Sequence, residues 1–164
     1  MIKVYQTKFG GSDLPMKEQG DCFQACLASI LEIPYDLAFS CVYGDDKPKK
    51  GELFEKQPWY IDFLKWLEQF GLASIYLEWK PTAPTVTALL GYHIAECKSS
   101  TLRNGDTHAV VIHDGDLVHD PNPKSKVSGD DLLGVYLLVP LDVAGLRKPL
   151  PIIYDGGESE VPKV

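Results

Sequence analysis

The stretch that most constrains this chain runs from Gln19 to Pro34. Within it Phe23, Cys26, Leu27, Ile30 and Leu31 follow the i, i+3, i+4, i+7, i+8 spacing of a helix buried along one stripe. Asp21 is placed to cap that helix and Pro34 to stop it. A helix with such a stripe needs a second layer to cover it, and the second half of the chain offers one. Tyr92 to Cys97, Thr107 to His113 and Asp116 to His119 read as strands, joined by a loop with Asn104-Gly105 and by the turn Asp114-Gly115. Together they predict a three-stranded antiparallel meander, ended by Asp120-Pro121-Asn122-Pro123 because proline cannot continue a ladder.

The remaining elements are weaker. Ile2 to Thr7 alternates like an edge strand, and Gly10 to Pro15 is rich in turn residues. Pro58 suits the first turn of a second helix, with Trp59, Tyr60, Phe63, Leu64, Leu67 and Phe70 as its stripe and Gly71 at its end. Ala73 to Trp79 reads as a strand, Thr85 to Leu90 as a short helix, Ser128 to Leu133 as a capped turn and Val135 to Val139 as a last strand. From Tyr35 to Gln57 periodicity is lost, and the middle of that stretch, Tyr43 to Glu52, reads as an exposed loop. Helices first and antiparallel sheet second give an α+β class, with an N-terminal core helix packed on a C-terminal sheet. Residues 1–154 make one domain, and 155–164 read as a disordered tail.

Composition narrows the function. A hydrophobic fraction of 45% over 164 residues is that of a globular domain, and a net charge of −7 argues against a nucleic-acid groove. No run of about 20 apolar residues suggests a membrane span, and Met1 to Gln6 lacks the apolar core of a secretion signal. The four cysteines, Cys22, Cys26, Cys41 and Cys97, are therefore expected as reduced thiols in a cytoplasm. Cys22 and Cys26 with a histidine would make a poor zinc site, since no second cysteine pair accompanies them. Neither a metal nor a cofactor is expected.

Cys22 is the residue with a chemical argument. On the first turn of a helix it meets unpaired N–H groups and the positive end of the dipole, both of which favour a nucleophilic thiolate. Such a nucleophile needs a base, and the base needs an orienting group. His108 stands at the mouth of an apolar strand and Asp120 at the end of the next. Each lies about six residues from the turn centre, so a regular hairpin would set them opposite each other. The backbone N–H of Cys22 and the side chain of Gln19 are the expected donors to an oxyanion. Cys26 lies within the stripe and is expected to pack.

The segments Asp21 to Leu31, Thr107 to Val111 and Val118 to Pro121 resemble papain-like cysteine peptidases, most closely the branch that cleaves double-glycine leader peptides of bacteriocins. The resemblance implies a papain-like fold, with Cys22 as nucleophile, His108 as general base and acid, and Asp120 as orienting carboxylate. It covers about the first thirty residues and 90 to 140. That branch carries its oxyanion glutamine about six residues before the nucleophile, where this chain has Met16, and a glycine where this chain has Phe23. The expected function is a cysteine hydrolase acting on a peptide or protein substrate. Deamidation, transglutamination or isopeptide cleavage would use the same triad. A binding protein that grips a partner with the loop at 40–57 is the alternative from another class.

Overall fold

The computed structural model describes residues 1–15, 18–41, 58–78, 90–102 and 105–141. Among these are two α-helices, α1 (Cys22–Leu31) and α2 (Pro58–Glu68), and five strands: β1 (Leu72–Glu78), β2 (Tyr92–Lys98), β3 (Thr107–His113), β4 (Asp116–His119) and β5 (Leu132–Pro140). The strands form one antiparallel sheet in the order β1-β5-β2-β3-β4. The class is α+β, as the order of patterns in the chain predicts.

Helix α1 lies on β2 and β3, and α2 on β1. The stripe of α1 explains this placement. Cys26 and Leu27 are fully buried and join Phe63, Leu67, Ile94, Ala109 and Val111 in one core on the helix side of the sheet. Alternate residues of the same strands, Ala95, Cys97, Val110, Ile112 and Val135, are buried on the opposite face with Val127 and Leu137. Phe23 locks the two helices to the sheet through edge contacts with Trp59, Phe63 and Tyr136. Phe70, expected in the stripe of α2, lies beyond that helix and is exposed.

The meander forms as expected. Its β3–β4 turn places Asp114 and Gly115 at φ 52° and 89°, positive values that this tight hairpin needs and that Asp and Gly tolerate. The capped turn also forms: Ser128 and Asp131 bond reciprocally around the 3-10 turn Gly129–Asp131. Two expectations fail. Residues 2–7 join no ladder; side chains and backbone from three distant regions hold them instead. Asp21 precedes α1 but makes no cap hydrogen bond, because its carboxylate is engaged elsewhere. No helix among the described residues is long and apolar enough to cross a membrane. The exposed loop expected over 43–52, the short helix expected over 85–90 apart from its last residue, and the tail at 155–164 lie outside the described residues.

Candidate active site

Helix α1 delivers Cys22 from its first residue, and β3 delivers His108 from its second. By strand alternation His108 shares a face with Val110 and Ile112, turned away from α1. It can still reach the thiol because it stands at the end of the strand. There the backbone N–H of Ala109 donates to the Cys22 sulfur at 3.4 Å, so the thiol rests on the strand end beside the imidazole.

Asp120 reaches the same ring, by a route that differs from a regular hairpin. The β3–β4 ladder pairs His113 with Asp116 and Ile112 with Leu117, then shifts by one residue so that Val111 pairs with His119. Continued one step, this register sets Asp120 across from Val110, not His108. Because of the shift, Asp120 falls on the His108 face as a diagonal neighbour, within reach for polar side chains. His108 Nε2 donates to Asp120 Oδ1 at 2.7 Å. With Nε2 so occupied, Nδ1 is the ring nitrogen left to face the Cys22 thiol.

Burial works against a charged imidazole here. The hydrogen bonds to Asp120 and Cys22, with the charges of both, outweigh it and raise the pKa of His108 to about 9. Burial likewise disfavours the Asp120 carboxylate. Hydrogen bonds from His108, the Asn122 N–H and Ser125 nevertheless hold it below its usual range. The ring is 7% exposed and the carboxylate 19%, so the pair is shielded without being sealed.

The other thiols are placed differently. Cys26 is fully buried in the core, where burial and then the nearby Cys22 push its pKa well up. Burial similarly raises Cys41, and raises Cys97 to about 12. Cys22 alone of the four lines a cavity of about 160 Å³, with His108 and Asn122 in its wall. His93 uses both ring nitrogens within the fold, on the Leu90 carbonyl and the Leu138 N–H. His119 Nε2 donates to the Val4 carbonyl at 2.7 Å.

Gln19 lines the cavity, but its amide Nε2 donates to the Leu14 carbonyl at 2.9 Å. Gln6, which no sequence pattern singled out, lines the cavity too. It is 7% exposed, and its Oε1 is sealed from solvent without a partner. That leaves the amide nitrogen as the polar atom its side chain can offer to the cavity; one N–H of Nε2 is taken by the Lys8 carbonyl at 2.7 Å, and the group carries two. The cavity wall is completed by the loop before α1, where Gly20 N–H donates to Gly10 O at 2.8 Å. At Gly10 a Cβ would stand 2.2 Å from the Glu18 carbonyl oxygen, so this approach demands glycine. Among the described residues no group of three His, Cys, Asp or Glu is arranged to hold a metal ion.

The chain matches no protein-family model, no curated protein and no solved structure.

Proposed function

We propose that the protein is a cysteine hydrolase on a papain-like fold, cleaving a peptide or amide bond of a peptide or protein substrate. The observation that carries this reading is that Cys22 and His108 line one cavity, with Asp120 behind the ring bonded to His108 Nε2 at 2.7 Å. A thiol against an imidazole that is itself oriented by a carboxylate is the arrangement nucleophilic catalysis requires.

In this reading His108 holds the proton of the Cys22 thiol before attack, and the sulfur then adds to the carbonyl carbon. The tetrahedral oxyanion collapses, His108 protonates the leaving amine, and an acyl-thioenzyme remains. Water, deprotonated by His108, then attacks the thioester and releases the acid and the free thiol. A ring with a pKa of about 9 holds a proton at neutral pH, which suits the step in which the amine departs. The oxyanion donors are the Cys22 backbone N–H, among the first four of a helix and so without an intrahelical acceptor, and the amide nitrogen of Gln6. Of the two glutamines that line the cavity, Gln6 is preferred over Gln19 because it is the buried one and its Oε1 is sealed from the cavity.

Brief exposure to iodoacetamide near neutral pH, followed by peptide mass spectrometry, tests the reading. Fast alkylation confined to Cys22, lost in His108→Ala, is the expected result. Equally slow labelling of all four thiols would overturn it.

A further inference from the structure

Residues 4–8 cross the site without secondary structure, yet polar bonds fix them along their length. Val4 N–H donates to Ser29 Oγ at 2.9 Å and its carbonyl accepts from His119. Gln6 N–H donates to the Pro121 carbonyl at 3.1 Å, one residue beyond Asp120. Thr7 and Lys8 are held by Asp21, one residue before Cys22. Its carboxylate accepts from Thr7 N–H and Lys8 N–H at 3.0 Å each, from Thr7 Oγ1 at 2.7 Å, and from the Tyr35 hydroxyl.

Asp21 is 3% exposed. A carboxylate just ahead of a helix ordinarily bonds the helix N–H groups; this one directs its acceptors away from the helix, onto the segment that carries Gln6. The linkage is short. Lys8 is fixed through its N–H to Asp21, and the Lys8 carbonyl in turn receives Gln6 Nε2. Tyr35 is held as well, its carbonyl accepting from Gln24 of α1 at 2.9 Å. Burial and the bond to Asp21 push the Tyr35 hydroxyl up to about 12, which keeps it a donor.

We propose that Asp21, together with Tyr35, is a positioning residue: it clamps the 4–8 segment and thereby fixes the Gln6 amide relative to the Cys22 sulfur. The proposal rests on the reading of Cys22 and Gln6 given above. It implies that loosening the clamp harms chemistry that builds an oxyanion and spares chemistry that does not.

Two reagents separate these cases at one sulfur. Iodoacetamide is displaced at carbon and forms no oxyanion. p-Nitrophenyl acetate is attacked at its carbonyl; a tetrahedral oxyanion forms, p-nitrophenolate leaves and the acetyl group stays on Sγ. In Gln6→Ala, acylation of Cys22 is expected to fall by about 100-fold, the loss typical of one oxyanion donor, with alkylation within about twofold of wild type. Asp21→Asn and the milder Tyr35→Phe are expected to slow acylation by about tenfold or more through misplacement of that amide, again sparing alkylation. Adding Tyr35→Phe to Gln6→Ala should then cost nothing further. Unchanged acylation in both clamp variants, equal loss of both reactions, or full additivity with Gln6→Ala would each overturn the proposal. If wild-type Cys22 reacts selectively with neither reagent, the hydrolase reading fails first and the clamp with it.

Discussion

The hairpin β3–β4 and the 4–8 segment face one cavity from opposite principles of construction. The hairpin brings His108 and Asp120 through a repeating backbone ladder, so its geometry follows from strand pairing. The segment brings Gln6 through separate bonds to Ser29, Asp21, His119 and Pro121, whose donor and acceptor residues lie between 13 and 115 residues apart along the chain. A ladder shares its load over neighbouring pairs. A segment fixed bond by bond concentrates it, and each anchor is a place where the site can be loosened alone.

The largest effect belongs to the hairpin. Asp120→Asn keeps the shape but removes the charge that orients and charges His108; hydrolysis of p-nitrophenyl acetate should fall by about 10²- to 10⁴-fold, the range of a lost acid–base contribution. Loss on that scale in kcat, with the fold intact by circular dichroism, is the expected outcome; an unchanged rate would remove Asp120 from the array.

Next comes the pH dependence of stability. His108 has its pKa raised to about 9 in the folded state, so the folded protein binds more protons than the unfolded chain between about 6.5 and 9. Its contribution is complete below about 6.5 and is lost as pH rises through 9, at a slope of at most about 1.4 kcal/mol per pH unit. Asp120 is shifted down, so its contribution is complete above about 4 and is lost as pH falls below that. Urea unfolding from pH 4 to 10 should show this plateau, and His108→Ala should flatten its alkaline side.

The smallest effect belongs to the segment. Ser29→Ala leaves Val4 N–H without its acceptor and should cost about 1–2 kcal/mol, as for a single buried hydrogen bond. If the segment is anchored bond by bond, urea unfolding will record that loss while alkylation of Cys22 is unchanged. Slowed alkylation would mean that the segment and the thiol move as one unit.

The same contrast explains what could be read from the chain. Phe23, Cys26, Leu27 and the strands around 92–119 announce themselves by period, because burial on one face repeats every 3.6 or 2 residues. Cys22, His108 and Asp120 were legible because the helix start and the strand ends that carry them were. The alternation of Ile2 to Thr7 misled, because a short run can alternate for reasons other than a ladder. Gln6 left no signal: its place depends on Pro121 and Asp21, and no spacing encodes bonds to residues that distant. Asp21 was expected to cap α1, a role local propensity favours, but the donors of Thr7, Lys8 and Tyr35 offer more acceptor use than one helix N–H.

The one-residue shift beside Val111 has a consequence for how this hairpin can vary. Along a strand each step turns the next side chain to the other face, so the residues between Gly115 and Asp120 act as a parity count. Without the shift, the same sequence would set Asp120 across from Ala109, on the helix side, and His108 would face no carboxylate. An insertion of one residue before Asp120 is therefore of a different kind from an insertion of two: the first exchanges inside for outside, and the second restores the side while lengthening the reach.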